Sequence, residues 1–410
     1  MTQTQLETRL NTLDDYGSVI GTAEVAELRT LAQRLRGRTV QMVNSTAVGG
    51  GVAEILNRMV PLMNELEIGV RWDVITGGED FFAVTKAFHN ALHGESYRLS
   101  DDSFKTFLAN AEQNRSRMHF DCDFTMIHDP QPVVLIDARP GGGGHWTWRC
   151  HIDLSQPNLK VWNFLAPFVN KFDSAIFSSP AFARRLPIPQ YLFYPSIDPL
   201  SEKNRELDAD LIEQTLARFE IDPLRPIITQ ISRFDRLKDP VGVVRAYQIV
   251  KRYTDCQLVL AGGGASDDPE GDAVLAEVRE AAGTDHDIHI LDLPATSAAE
   301  INALQRGSTI IVQKSLREGF GLTVTEGLWK KKPVVASAVG GIPSQVIHKH
   351  TGMLAHSIEG TAYQVRFLLS NPGIAQKLGE NGHEHVREHF LITSDVRRHL
   401  TLFLHFLRPN

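Results

Sequence analysis

Two glutamates eight positions apart, Glu318 and Glu326, enclose two glycines and a phenylalanine in the stretch REGFGLTVTEG. It follows the apolar run STIIVQ, 308 to 313, and leads into a helical pattern. Glycines at 319 and 321 let the backbone approach a ligand and turn amides toward it. Glu326, expected in the first helical turn, is of the type that accepts both hydroxyls of a ribose in dinucleotide folds. Glu318, still in the loop, then faces something further along the same ligand. Upstream, RFDRLKDP sets Arg233 and Lys238 on one strand-to-helix connection, where two cations beside helix N-terminal amides suit a diphosphate. Ribose, diphosphate and hexose follow one another in a nucleotide sugar. Helix-dipole complementation by Glu326 and solvated basic residues account for these side chains singly; their conjunction favours the ligand.

The first half carries its own loops. STAVGGGVAEIL, 45 to 56, sets a triple glycine, including Gly50 and Gly51, between a strand and a helix. It is not the GxGxxG fingerprint and no acidic residue ends the second strand, which disfavours NAD. IHDPQP supplies His128 and Asp129 at a strand end, and HWTWRCHIDLS supplies Trp146, Trp148, Arg149, His151 and Asp153. Such aromatics with hydrogen-bonding neighbours suit a sugar, although on strands they serve equally as core. DCD, Asp121 and Asp123, matches a metal-holding DxD but precedes its strand, at the wrong end of a sheet for a crevice. GGGG, 141 to 144, precedes strand-like sequence rather than a helix and reads as a loop. The tail histidines His383, His385, His389, His399 and His405 read as solvated helix faces, since no other ligand cluster accompanies them. No metal or cofactor is expected.

The elements that must position these residues are short β-branched runs: 39–45, 71–76, 124–128, 132–137, 174–179, 226–232, 256–263, 308–313 and 332–337. Alternating with helical stretches, they predict doubly wound parallel α/β sheets. At 410 residues the chain exceeds the roughly 250 to 300 at which single cores stop growing. Two domains follow, 1–197 and 198–384, split within the proline-rich passage 186–204, with an amphipathic tail, 385–410, packed against a domain rather than left free. A formal charge of −7 offers no field for nucleic acid or an anionic membrane. Three scattered cysteines form no CxxC pair, no apolar leader precedes a small-residue site, and no apolar run reaches the roughly 18 residues of a spanning helix. A cytoplasmic protein is expected, and a homodimer is compatible with it.

The spacing of Glu318 and Glu326 with the upstream arginine and lysine resembles the retaining nucleotide-sugar glycosyltransferases of the GT-B fold. The ordered set VNSTAVGGGVAEIL, IHDPQP, WRCHIDLSQPN, IDPLSEKN, ITQISRFDRLKDP, DDPEG and REGFGLTVTEGLWK, spanning about 40 to 345, is similar to the trehalose glycosyltransferring synthases, with fungal-type trehalose phosphorylases as relatives. The resemblance implies two facing Rossmann-like domains, acceptor in the first and donor in the second, and a C-terminal helix crossing back. It implies transfer of glucose from a nucleotide diphosphate glucose to glucose, giving trehalose reversibly, with no essential metal. By it, Arg233 and Lys238 bind the diphosphate, Glu318 the donor glucose and Glu326 the ribose. Gly319, Phe320, Gly321, Leu322, Thr323, Gly50 and Gly51 border the donor; Asp129, Arg149 and His151 border the acceptor, with His151 and Asp129 near the reacting centre. AGGGASDD, 261 to 268, is richer in glycine than the family's pattern and leaves the preferred base open.

No carboxylate is assigned as a covalent nucleophile, and the resemblance favours attack on the same face, the leaving phosphate oxygen taking the acceptor's proton. Three rivals remain. A glycoside hydrolase places two carboxylates about a bond but needs no cations for a diphosphate; a trehalose phosphorylase uses the same fold with phosphate and glucose 1-phosphate; a sugar-nucleotide sensor binds donor and releases nothing.

Overall fold

The β-branched runs form strands because stiff, apolar side chains suit a pleated layer buried on both faces. In the computed structural model, which describes residues 11–47, 50–94, 100–263, 269–294 and 296–408, they make two six-stranded sheets. The first comprises β1 (Thr39–Asn44), β2 (Gly69–Val74), β3 (Phe124–His128), β4 (His145–Cys150), β5 (Ser174–Phe177) and β6 (Gln190–Leu192), in the order β2-β1-β3-β4-β5-β6. The second comprises β7 (Ile227–Ile231), β8 (Gln257–Gly262), β9 (Ile288–Asp292), β10 (Ile310–Gln313), β11 (Val334–Ser337) and β12 (Met353–Ala355), in the order β12-β11-β10-β7-β8-β9. Every strand pairing is parallel, with Val40 beside Val70 and Phe124 in one sheet and Ile228 beside Leu258 and Ile310 in the other.

The run PVVLID is not a strand. Residues Val133–Ala138 form a 3-10 helix whose Val133, Val134, Leu135 and Ile136 are buried. Asp129 just before it has φ 64, in the left-handed region, and Pro130 and Pro132 have no N–H to give a ladder. A short apolar run cannot declare its period, so burial alone could not separate the two forms. The short edge strands β6 and β12 and the half-polar β9, IHILD, extend the sheets beyond the runs read from sequence.

The tail crosses back. Helix Ile392–Phe406 buries Ile392, Val396, His399, Leu400 and Phe403 along one stripe. Phe403 stacks on Phe124 of β3 with ring centres 4.6 Å apart, and Arg397 pairs with Glu24 at 2.6 Å. Just before this helix, Leu391 pairs with Ile197 as an isolated parallel bridge. One apolar cluster runs through both halves, from Leu56 and Met59 through Phe320, Val324 and Leu328 to Phe390 and Phe403. Among the described residues, no helix is long and apolar enough to cross a membrane.

Candidate active site

In each sheet the strand order reverses beside the first strand: β1 lies between β2 and β3, and β7 between β8 and β10. Chains leaving two such neighbours diverge, and the gap beyond their carboxyl ends is where open parallel sheets take ligands. The loops after β1, β3, β7 and β10 are those that carry the triple glycine, Asp129, the Arg233/Lys238 pair and Glu318.

After β7, a 3-10 turn Arg236–Lys238 delivers Lys238 toward β10. Its Nζ lies 2.7 and 2.6 Å from the two carboxylate oxygens of Glu318, which is itself 7% exposed. Ser315 Oγ donates to the same carboxylate at 3.1 Å. Arg233 stands apart, largely exposed, and among the described residues its ion-pair partner is Asp235 on its own loop at 3.3 Å. Sequence reasoning missed a second pair: Lys314 Nζ contacts the carboxylate of Asp239, a residue with left-handed backbone, φ 47, whose Oδ1 caps the helix Pro240–Lys251 by accepting from Gly242 N–H at 3.0 Å.

The glutamate loop is shaped by glycine. Gly321, φ 83, caps the helix Leu322–Trp329, and a Cβ there would lie 3.1 Å from Glu318 Cγ. Gly340 and Gly341, after β11, pack on the same loop; Gly341 N–H donates to Gly319 O at 2.9 Å, and a Cβ on Gly340 would overlap the Glu318 carbonyl. A glycine pair two residues after the run KPVVAS is a legible signal for this close approach. The Phe320 ring is buried beside Tyr194 and Phe390, with Gln345 Nε2 donating to its carbonyl. Thr323 Oγ1 donates to Gln313 Oε1 at 3.0 Å.

Glu326 is the fifth residue of its helix, not in the first turn as the sequence reading placed it, so it is set back from the amides that a terminal carboxylate would complement. It is 1% exposed and meets Lys203 Nζ at 3.3 Å and Gln305 Nε2 at 3.3 Å. Lys203, inside the passage read as linker, was not singled out.

Across the crevice, Asp129 N–H donates to Arg149 O at 2.8 Å, and His151 N–H donates to the Asp129 carboxylate at 2.7 Å. Burial raises the Asp129 carboxyl to about 7, against the pull of the His151 amide and Arg149. His128 Nδ1 and His151 Nε2 are 3.1 Å apart, so one imidazole donates to the other. Burial and Arg149 lower both, His128 to about 3, which keeps the pair neutral at physiological pH. The Arg149 side chain turns away into the core: Nη2 donates to Phe193 O at 2.7 Å, and burial lowers it to about 10. Trp146 and Trp148 are 1% exposed and belong to the core.

The two walls meet. A Cβ on Gly319 would lie 3.4 Å from His151 O, and one on Gly51 would lie 3.1 Å from Leu322 Cδ1. Gly50, φ 80, caps the helix Gly51–Glu65, while its neighbours Val48 and Gly49 lie outside the described residues, as do 264–268 of the glycine-rich passage. Asp123 is at the far end of the first sheet, bound to Arg38 Nη1 at 2.8 Å and Thr39 N–H at 2.9 Å. The tail histidines are not all solvated as expected: His399 is 2% exposed and packed in the core, His383 meets Trp329 O and His385 meets Ser344 O. Among the described residues, no group of three or more His, Cys, Asp or Glu is placed to hold a metal.

Residues 42–184 match the family described as "Trehalose synthase, N-terminal domain", and residues 212–385 match "Glycosyl transferases group 1". The chain is 44% identical over 400 residues to the trehalose synthase of Pyrococcus horikoshii, covering 95% of each. It is 27% identical over 442 residues to the trehalose phosphorylase of Pleurotus pulmonarius, covering 92% of this chain and 59% of that one. The UDP-forming α,α-trehalose-phosphate synthase of Burkholderia xenovorans, solved with glucose 6-phosphate, superposes with a TM-score of 0.69 at 16% identity, covering 90% of this chain and 100% of that one. That likeness shows the fold, two facing α/β domains of GT-B type. With two parallel sheets opening on one crevice and near-complete coverage by such relatives, the chain belongs to the trehalose synthase family and is a glycosyltransferase.

Proposed function

We propose that the protein transfers glucose from a nucleoside diphosphate glucose to the anomeric hydroxyl of free glucose, reversibly and with retention, giving trehalose. The observation that carries this reading is the Lys238–Glu318 pair on the second sheet, at 2.6 Å, on the same glycine-shaped loop whose Gly319 abuts His151 of the first. The loop that carries the carboxylate, with its paired cation, thus touches the backbone of His151 on the facing half. The diphosphate lies against Arg233, Lys238 and the amides of Gly319, Gly321, Leu322 and Thr323, with Gly50 and Gly51 opposite. Glu318 receives donor hydroxyls, Glu326 the ribose, and Asp129 and His151 the acceptor. Arg149 supports the acceptor wall through its own strand.

The donor's anomeric C–O bond breaks toward the diphosphate, and its developing charge is met by cations already in place. The acceptor oxygen bonds to the anomeric carbon on the face just vacated, and its proton passes to the departing phosphate oxygen. No protein base and no metal is required by this route. His151, held neutral, orients acceptor and donor hydroxyls instead of carrying the proton away. The free cysteines Cys122, Cys150 and Cys256 are all buried, which fits a protein working in a reducing cytoplasm.

Proton NMR of a reaction containing α-configured nucleotide glucose and glucose reads the linkage directly. The α,α-linked product with one nucleoside diphosphate released per disaccharide is expected. An α,β-linked product, or hydrolysis to free glucose alone, overturns the reading.

A further inference from the structure

Lys203 has no part in the scheme above, yet it is held with unusual care. Its neighbours are pinned to the second half: Asn302 Nδ2 donates to the Glu202 and Arg205 carbonyls at 2.9 and 2.8 Å. Asn204 O accepts from Trp329 Nε1 at 3.2 Å, and Asn204 Oδ1 accepts from Lys330 Nζ at 3.0 Å. A few residues earlier the same segment is pinned to the first half, where Asp198 meets Arg58 Nε at 2.7 Å and Tyr16 Oη at 2.9 Å. Between these anchors the Lys203 ammonium reaches a glutamate from each half, Glu54 at 3.1 Å and Glu326 at 3.3 Å.

Glu54 lies on the helix Gly51–Glu65, whose first turn abuts Leu322, and Glu326 lies on the helix that Leu322 begins. The two carboxylates, on helices that touch at their first turns, meet through the one Lys203 ammonium. A carboxylate as buried as Glu326 is costly unless its charge is compensated. Gln305 supplies a neutral donor to one oxygen and Lys203 the compensating charge at the other.

We infer that Lys203 is a positioning residue for the donor: it orients Glu326 toward the ribose hydroxyls and ties that end of the donor site to the first half through Glu54. The inference rests on Glu326 receiving the ribose, and it makes the linker part of the nucleotide site. Without the ammonium, Glu326 loses its one ion pair among the described residues and keeps Gln305 and the field of Lys330, whose Nζ donates to the Glu326 carbonyl at 3.4 Å, so the charge-assisted bonds to the ribose lose their fixed acceptor.

The test compares wild type, Lys203→Met, Lys203→Arg and Glu54→Gln in steady-state transfer to glucose, with nucleotide glucose and with its 2′-deoxy and 3′-deoxy analogues as donors. Lys203→Met is expected to raise the donor KM about ten- to a hundred-fold, the equivalent of one charge-assisted hydrogen bond. Its kcat should change by less than about three-fold, and its preference for ribose over deoxyribose should largely vanish. Lys203→Arg should recover most of the preference, and Glu54→Gln should raise the donor KM by a smaller factor. A Lys203→Met enzyme with wild-type KM and wild-type preference overturns the inference while leaving the ribose reading intact. A wild type that does not distinguish ribose from deoxyribose removes the ribose reading itself, and the inference with it. Should Lys203→Met not fold, an unchanged donor KM in Glu54→Gln overturns the tie between the halves.

Discussion

At the scale of single residues, the chemistry depends on charges that burial alone would not tolerate. Lys238 is the only ion-pair partner found for the nearly buried Glu318 among the described residues, so Lys238→Ala removes a cation from the diphosphate and strands a carboxylate. A loss of about 10²- to 10³-fold in turnover is expected, the range seen when one preorganised donor to developing charge is deleted. Exposed Arg233→Ala should lose turnover without loss of thermal stability, since its ion-pair partner among the described residues is a neighbour on its own loop. Steady-state kinetics and a melting curve on each variant check both. His128 makes a different prediction. Folded, it stays neutral down to about 3; unfolded, it takes a proton below about 6.5. The unfolded state then binds more protons, so this contribution to stability is complete above about pH 6.5 and is lost as pH falls toward 3. Asp129 acts in the opposite sense, favouring the fold below about pH 4 and losing that contribution as pH rises through about 7. Melting temperatures between pH 7 and pH 4 should therefore fall less steeply for His128→Phe than for wild type. Arg233, Lys238, Glu318 and Glu326 stood out as candidates by type and spacing; of these the structure brings Lys238 and Glu318 together and leaves Arg233 apart. Lys203 was not: its partners lie 149 and 123 positions away, and no local pattern encodes such a meeting.

At the scale of elements, loops on strand ends do the positioning, and glycine sets their course. Gly340, φ 55, has no room for a Cβ beside the Glu318 carbonyl, whereas Gly142, φ 74, has nothing within 4 Å. Gly340→Ala should displace the glutamate loop, raising the donor KM and costing about 1–3 kcal/mol of stability. Gly142→Ala should cost about 1 kcal/mol or less and leave the donor KM unaltered. Urea unfolding with donor kinetics separates the two. Strands were read well where β-branched runs were long, as in β1 and β7, and badly at PVVLID, where flanking prolines deny a ladder that composition alone suggests. The start of the helix carrying Glu326 was misplaced because Gly321, not a polar cap, begins it. Helix starts without Ser, Thr, Asp or Asn leave little trace in sequence.

At the scale of the whole molecule, two sheets wound the same way face each other, and the tail secures one to the other. Phe403 is 1% exposed and stacked on β3, so Phe403→Ala is expected to destabilise the protein by about 3–5 kcal/mol. Urea unfolding followed by intrinsic fluorescence would register it. The doubly wound plan and the amphipathic tail were visible as periodicity; the meeting of the halves was not, because it is built from single residues such as Gly51, Leu322 and Phe320 that carry no pattern of their own. The central claim is that this crevice holds a nucleotide-activated glucose beside a free one. The most direct measurement incubates purified protein with glucose and, in turn, ADP-, UDP- and GDP-glucose, without phosphate or added metal, alongside a reaction of glucose with glucose 1-phosphate in place of the nucleotide sugar. Trehalose and nucleoside diphosphate in equal amounts from at least one donor, with none from glucose 1-phosphate, is the predicted result. Trehalose formed only from glucose 1-phosphate, with inorganic phosphate released, would contradict the account and leave Glu326 without a ribose to hold.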